Sequence, residues 1–197
     1  MNMTTEQTMS TGIDDFNFLL GHWRVENYRL LKRLQNCDEW ETFPATQHNQ
    51  ALPGKIGNID DFIAETWRPG FVGLSLRLFN PQTQLWSIYW LDNVTGGLDL
   101  SGDMLPPVVG KFVKGIGIFE GEDVLDGRPI RVRYTWSKIT SDSAQWEQAM
   151  SDDDGETWEM NWRMTFEKAK APAQNDTGPP VNCYHPLNNQ VVDLDGN

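Results

Sequence analysis

The sequence contains few residues of the kinds that build metal sites, disulfide frameworks or nucleophilic triads. Its two cysteines, Cys37 and Cys183, lie far apart in unlike contexts, which excludes a disulfide framework and cysteine-based metal spacing. The three histidines, His22, His48 and His185, fall in no metal-ligand spacing and assemble no Ser-His-Asp triad. We therefore predict no metal and no cofactor.

Positive charge is also scarce, with 16 basic residues against 28 acidic ones and a net charge of -12. A surface of this sign repels phosphate backbones, so neither nucleic acid nor an anionic membrane is an expected partner. No apolar run approaches the roughly 20 residues that span a bilayer, and residues 1–12 lack a basic start and an apolar stretch. We expect a cytoplasmic protein.

Bulky aromatic residues are what the sequence has in quantity. Nine Trp, nine Phe and four Tyr compensate for a hydrophobic share of only 39%. Each buried aromatic side chain removes about 150–250 Å² from water, so the chain can still build a sizeable core or a lined cavity. Many flat side chains and few alanines favour sheets around a cavity over packed helices.

The order of predicted elements indicates an all-β fold. A short helical turn over residues 13–20 ends at Gly21, and about nine or ten strand segments follow without crossover helices. Closing such a meander removes its two unpaired edges, so we predict a single up-and-down antiparallel β-barrel spanning residues 13–168. Residues 1–12 are predicted as a disordered lead and residues 169–197 as a Pro-rich polar tail. The predicted strands are 23–34, 40–50, 59–67, 71–79, 85–92, 111–120, 123–125, 130–139, 144–151 and 157–168.

Three consecutive strands near the end of the barrel separate by period-two alternation into an aromatic-methionine face and a charged face. We predict that the first face points inward. It comprises Val132, Tyr134, Trp136, Trp146, Gln148, Met150, Trp158, Met160, Trp162, Met164 and Phe166. The reverse assignment would resemble a carboxylate-binding barrel lined by Arg77, Arg131, Arg133, Glu147 and Asn161, at the cost of burying many charges.

Gly21-His22-Trp23, directly after the helical turn, resembles the G-x-W that opens the barrel in the calycin superfamily (lipocalins, fatty-acid-binding proteins and nitrobindin-like proteins). The resemblance implies that Trp23 plugs one end and that a basic residue near the last strand packs on it, for which Arg163 is the candidate. The wider pattern over residues 14–168 looks like bacterial calycin-like domains of unknown function. Nitrobindin-like proteins bind haem through a histidine late in the barrel, and residues 157–168 contain none.

Residues 151–158 (SDDDGETW) resemble the Asp-box hairpin of sialidase propellers and other β proteins. Propellers carry several copies and this chain carries one. We therefore interpret the motif as a structural turn, in which aspartates accept from turn amides and Gly155 adopts positive φ.

The function that these observations favour is binding of a small apolar or aromatic molecule inside the barrel. One alternative is a cavity enzyme of isomerase, cyclase or dehydratase type, using Asp92, Glu147, His48 or Tyr134 as acid or base. Another is an interaction scaffold with a filled barrel, and a homodimer is compatible with any of these. The predicted ligand-binding residues are Trp90, Tyr134, Trp136, Trp146, Gln148, Met160, Trp162, Met164 and His48.

Overall fold

A computed structural model describes residues 12–99 and 101–171. Two short 3₁₀ turns, Gly12–Asp14 and Asn17–Leu19, precede ten strands, and a third 3₁₀ turn, Pro53–Lys55, joins two of them. The strands are β1 (Gly21–Leu30), β2 (Trp40–Ala51), β3 (Gly57–Ile63), β4 (Val72–Asn80), β5 (Leu85–Asp92), β6 (Val108–Val113), β7 (Ile116–Leu125), β8 (Arg128–Ser137), β9 (Ser143–Ser151) and β10 (Glu159–Lys168).

The ten strands form one closed barrel in which every strand pairs antiparallel with its neighbour in sequence, and β1 closes the ring against β10. The predicted all-β meander with a short N-terminal helical turn is therefore confirmed. Most of the predicted lead and tail lie outside the described residues. In the described part of the chain, no helix is long and apolar enough to cross a membrane.

The largest difference in strand bounds concerns β6 and β7. Residues 111–120 were predicted as one strand, but a hairpin turn divides them at Lys114 and Gly115, which have φ of 51° and 80°. Two consecutive residues at positive φ are the requirement of a type I′ turn, whose twist matches paired strands. The apolar residues on both sides of Lys114 concealed this turn.

The two N-terminal 3₁₀ turns close one end of the barrel. They place Phe16 and Leu19 inside, at 1% and 0% exposure, and Phe16 meets the rings of Trp86 and Phe112 edge-to-face at 4.9 Å. The indole Nε1 of Trp23 donates to the Leu19 carbonyl at 2.6 Å, which ties β1 to the turn. We call this the plugged end.

The basic residue that packs on Trp23 is Lys168, not Arg163. The Lys168 ammonium lies 4.2 Å from the centre of the indole and donates to the Leu20 carbonyl. Arg163 lies five positions earlier on the outer face, where its Nε donates to Glu147 Oε1 at 2.8 Å. The prediction placed the cation too early along β10, because Lys168 is the residue that pairs with Trp23 across β1 and β10.

The opposite end, which we call the mouth, is surrounded by five connections. Because the strands alternate in direction, the connections 31–39, 64–71, 93–107, 126–127 and 152–158 all lie there. The last one forms the predicted hairpin: Gly155 has φ of 90°, Ser151 Oγ accepts from the Gly155 amide at 2.8 Å, and Asp153 Oδ1 accepts from the Thr157 amide at 2.9 Å.

The inner face of β8 and β9 follows the predicted alternation, with Val132, Trp136, Trp146 and Met150 buried. On β10 the alternation breaks at a β-bulge. Met160 pairs with Ala149 and Trp162 pairs with Gln148, so Asn161 is an extra residue.

The bulge changes which side chains of β10 point inward. Asn161 is fully buried, whereas Met160 shares the outer face with Ala149 and Trp158 packs under the Arg133 guanidinium, 3.8 Å from the ring centre. The prediction that Trp158 and Met160 point inward is therefore wrong. One inserted residue moves each preceding side chain of the strand to the face opposite the one that regular alternation predicts.

Candidate functional site

A cavity of about 330 Å³ extends from the mouth toward the plugged end, where Trp136 and Phe166 form part of its wall. Its wall is mainly aromatic, with tryptophans from β5, β8, β9 and β10 and from the loop before β4. The rest of the wall consists of four arginines, two aspartates, two glutamines, a serine, an isoleucine and two methionines. The aromatic members are Phe62, Trp67, Phe71, Trp90, Tyr134, Trp136, Trp146, Trp162 and Phe166.

Most residues predicted from the sequence to contact a ligand lie on this wall, and two do not. Met160 is outside because of the bulge described above. His48 is outside because its strand neighbours Gln47 and Asn49 take the inward positions, and its ring instead stacks on His22 at 3.9 Å on the outer face. The predicted residues on the wall are Trp90, Tyr134, Trp136, Trp146, Gln148, Trp162 and Met164.

The aromatic wall is held in a fixed arrangement by hydrogen bonds and ring contacts. Trp162 donates from Nε1 to Asn27 Oδ1 at 3.0 Å, and Asn27 in turn donates to the Phe43 carbonyl at 3.1 Å. Trp146 packs edge-on against Trp162 at 5.9 Å and against Tyr134 at 4.9 Å. A wall whose rings are already fixed loses little side-chain freedom on binding.

The bulge also supplies a polar contact inside the barrel. Asn161 Oδ1 accepts from Gln148 Nε2 at 2.8 Å, and both side chains are buried. Gln148 lines the cavity, so Asn161 orients its amide from behind. Sequence reasoning found Gln148 but placed Asn161 on the charged face, because a bulge leaves no clear mark in the alternation.

An ion pair lies deep in the wall, on β3 and β4. Arg77 Nη1 lies 2.5 Å from Asp60 Oδ2, with side-chain exposures of 3% and 0%, and Arg77 also donates to Asn58 at 3.1 Å. The other Asp60 oxygen accepts from the Ser75 amide at 3.0 Å. Only Arg77 of this group was considered from the sequence, within the reverse assignment. The alternation of Asn58 and Asp60 along β3 was the available signal for the rest.

Three more arginines surround the mouth and were missed by sequence reasoning. Arg29 is paired with Glu41 at 2.7 Å. Arg68 lies over the Trp67 ring at 4.2 Å, and Trp67 itself stacks on Phe43. Arg29 lies on β1, its partner Glu41 lies on β2, and Trp67 and Arg68 lie in the loop 64–71. Only the closed barrel brings these side chains together.

Arg33, from the loop after β1, completes the arginine cluster. It is half-buried, and burial together with the nearby Arg29 charge lowers the pKa of its guanidinium. Among the described residues, no carboxylate lies within 4.0 Å of a side-chain nitrogen of Arg33 or Arg68. We refer to Arg29, Arg33 and Arg68 as the mouth arginines.

Several buried polar atoms that border the cavity have no hydrogen-bond partner within the described residues. They are Gln47 Oε1, Trp136 Nε1, Arg77 Nε and Arg29 Nε. Buried polar groups in proteins nearly always bond to protein, water or ligand. The inner part of the cavity therefore suits a molecule, or waters, able to accept from an indole and a guanidinium and to donate to an amide.

Of the four candidate acids and bases, two reach the cavity. Glu147 lies outside, paired with Arg163, and His48 lies outside on His22. Asp92 lines the mouth, but its Oδ1 accepts from the Val94 and Thr95 amides at 2.8 and 2.7 Å.

Tyr134 lines the cavity, and burial raises the pKa of its phenol above the ordinary value. It is therefore protonated at neutral pH and suited to donating a hydrogen bond rather than to acting as a base. Among the described residues, no group of three or more metal-ligating side chains is arranged to hold a metal ion.

Comparisons with known proteins find the same fold in a solved structure and identify no function. No family model and no curated protein matches the chain. A solved structure of Rv2717c from M. tuberculosis matches 82% of this chain and 99% of its own, with 10% identity and a TM-score of 0.50. A protein of unknown function from the DUF3598 family of Nostoc punctiforme matches 78% of this chain at 15% identity and a TM-score of 0.49. This chain spans about half the length of the Nostoc protein, 49% being covered. At 10% identity, the likeness to Rv2717c shows a shared fold and no more.

Proposed function

We propose that this protein is a calycin-like, cytoplasmic barrel that binds a small, largely apolar or aromatic molecule in its cavity. The observation that carries the proposal is the cavity of about 330 Å³ with its aromatic wall. Small-molecule pockets of proteins occupy roughly 300–1,000 Å³ and combine apolar walls with a few oriented polar groups. Gln148, held by Asn161, and the protonated Tyr134 are such groups.

The cavity distinguishes this function from the two alternatives. A scaffold protein needs no internal cavity. In a filled barrel, other side chains would pack against the aromatic rings of β8, β9 and β10. A cavity enzyme needs an acid or base placed in the cavity, but the Asp92 carboxylate is engaged by turn amides, Asp60 is paired with Arg77, and Asp123 lies exposed at the rim. The net charge of -12 supports a small molecule, rather than nucleic acid or an anionic membrane, as the partner.

The proposal is tested by titrating the protein with N-phenyl-1-naphthylamine, an uncharged aromatic dye whose emission rises when it leaves water. We expect saturable binding with a change in tryptophan emission, because Trp90, Trp146 and Trp162 line the cavity. Ser75→Phe should weaken dye binding by at least about tenfold, since Ser75 is buried on the cavity wall and a phenyl group there fills the space.

The matched control is Ser87→Phe, which adds the same group to the outer face of β5 opposite Leu78 and Val109. It should leave dye affinity within about twofold of the original. Thermal melting establishes that both variants are folded. The proposal fails if the unmodified protein shows no saturable binding, or if folded Ser75→Phe binds the dye as well as Ser87→Phe does.

A further inference from the structure

We infer that the ligand is an organic anion, whose acidic group is bound at the mouth by Arg33 and Arg68 while its apolar body lies among the tryptophans. This inference rests on the proposed function, because it concerns the chemistry of the molecule in the same cavity. It goes beyond that function by naming the charge of the ligand, the end of the barrel that holds it and the residues responsible.

Guanidinium groups are concentrated around this cavity. Arg29, Arg33, Arg68 and Arg77 all line it, in a chain with only 16 basic residues and a net charge of -12. Arg77 is buried, Arg29 and Arg33 are half-buried and Arg68 is exposed, so three of the four groups lose hydration, a cost that binding a neutral molecule does not offset. Such a cluster is expected where an anion is bound.

Two of the four arginines are already neutralised by carboxylates. Arg77 is paired with Asp60 at 2.5 Å and Arg29 with Glu41 at 2.7 Å. A second carboxylate at Arg77 would compete with Asp60 inside the barrel. The deep arginine is therefore suited to a neutral acceptor, such as a carbonyl, rather than to the acid.

Arg33 and Arg68 are the two that have no carboxylate within 4.0 Å in the described chain. Arg68 is instead held by aromatic rings, over Trp67 at 4.2 Å and near Phe71 at 5.8 Å. This contact fixes the direction of the guanidinium and leaves its N–H groups available to an anion.

Two carboxylates also line the mouth and could neutralise the arginines. Asp92 is bound by the turn amides of Val94 and Thr95, and Asp123 is exposed and accepts from the Val124 amide at 2.7 Å. Asp123 is close enough to Arg33 to influence its pKa but does not contact it within 4.0 Å. Neither aspartate takes the place of a bidentate partner for the guanidinium groups.

The positions of Trp67 and Trp162 indicate the shape of a ligand that fits the mouth. Arg29 lies 5.3 Å from the Trp67 ring and 5.5 Å from the Trp162 ring, so indole faces and guanidinium groups adjoin at the mouth. A molecule with a flat apolar body and a carboxylate, sulfonate or phosphate at one end matches this order. Its far end would then lie toward Trp136 Nε1 and Gln47 Oε1, which have no hydrogen-bond partner among the described residues.

The experiment compares two dyes with the same anilinonaphthalene skeleton, the uncharged N-phenyl-1-naphthylamine and the anionic 8-anilinonaphthalene-1-sulfonate. We expect the sulfonate to bind at least about tenfold more tightly at low salt, with the advantage shrinking as salt is added. Arg33→Gln/Arg68→Gln should remove this advantage and leave the affinity for the uncharged dye within about twofold.

Two control variants make the outcome specific. Arg24→Gln/Lys111→Gln removes two charges from the outer face, where Arg24 is 70% exposed, and should preserve the preference for the sulfonate. Asp60→Asn/Arg77→Gln replaces the deep ion pair by neutral amides; because Arg77 lines the cavity, the affinities for both dyes should change, but their ratio should stay within about twofold of the original. Thermal melting confirms that each variant is folded.

The inference is overturned if the unmodified protein binds the uncharged dye but shows no preference for the sulfonate. It is also overturned if the preference survives Arg33→Gln/Arg68→Gln, or is lost in the outer-face control. Loss of the preference only in Asp60→Asn/Arg77→Gln would place the acid in the interior and contradict the assignment to the mouth. Failure of both dyes to bind would instead contradict the proposed function itself.

Discussion

The two ends of the barrel contain aromatic side chains in similar number but use them differently. At the plugged end Phe16, Trp23 and Phe119 are almost fully buried: Phe16 stacks on Phe119 at 5.6 Å, and Trp23 meets Phe166 edge-to-face at 6.1 Å. At the mouth, Trp67 and Trp162 are half-buried and lie against arginines rather than only against other rings. The same residue types thus form a packed core at one end and a partly open wall at the other.

This difference shows where the fold is stabilised and where it can bind. The plugged end packs the turn residues before β1 against rings from β5, β6 and β7, and its indole and ammonium groups are satisfied by the Leu19 and Leu20 carbonyls. The mouth is built from five loops, and its guanidinium groups and inner amide atoms are only partly satisfied. Substitutions at the two ends should therefore have different consequences, which can be measured.

The largest expected effect is that of Phe16→Ala on stability. Phe16 is 1% exposed and contacts Trp86 and Phe112, so its removal leaves a cavity in the plug and should lower the free energy of unfolding by about 3–5 kcal/mol. Urea denaturation measures this change. Binding of the uncharged dye should persist in conditions where the variant is folded, because Phe16 does not line the cavity and adjoins it only through Trp136 and Arg77.

A smaller loss of stability and a larger effect on binding are expected from Trp67→Ala. Trp67 is half-buried, stacked on Phe43 at 4.6 Å, and carries the Arg68 guanidinium. Its truncation should cost about 2 kcal/mol and weaken binding of the anionic dye, since Arg68 loses the ring that orients it. Paired denaturation and dye titrations test this. If Trp67→Ala costs as much stability as Phe16→Ala and spares binding, the two ends do not differ as described.

The smallest effect concerns the Asp153 hairpin at the mouth. Hydrogen bonds from Thr157, first its hydroxyl and then its amide, lower the pKa of Asp153 from 3.8 to about 2. A depressed carboxyl pKa contributes stability above the unfolded value, and this contribution is lost as the pH falls from about 4 to about 2.

Asp153→Asn should therefore show a shallower loss of stability over this pH range than the unmodified protein. Unfolding by urea at a series of pH values measures it. Asp152→Asn, at a neighbouring exposed position of the same hairpin, is the matched control. A pH dependence that is the same for all three proteins would contradict the assignment.

The sequence was sufficient for the fold because its signals there are local. Period-two alternation identified the inner faces of β8 and β9, and turn residues such as Asp126-Gly127 separated the strands. The bulge adds one residue to β10, and the type I′ turn at Lys114 and Gly115 divides one apparent strand into two. Neither feature leaves a distinctive pattern of apolar and polar residues in the sequence. That is why Met160 and Trp158 were assigned to the wrong face and why 111–120 was taken as one strand.

The site was predictable only in its aromatic half. Tyr134, Trp146 and Trp162 follow from alternation within single strands, so their side of the cavity could be deduced. The mouth arginines lie on β1 and on two loops, where no periodicity indicates direction. Asp60 and Arg77 meet through the pairing of β3 with β4, and a buried ion pair of this kind depends on a register that sequence does not supply.

The bulge at Asn161 has a consequence for how this chain tolerates change. Trp158 and Trp162 are four positions apart, a spacing that would put both on the same side of a regular strand, yet one faces water beneath Arg133 and the other faces the cavity. Deleting Asn161 would leave Met160 opposite Ala149 and Trp162 opposite Gln148, so both indoles would keep their present faces on a regular strand. A relative without the extra residue would therefore have the same aromatic wall but would lack the buried amide that orients Gln148.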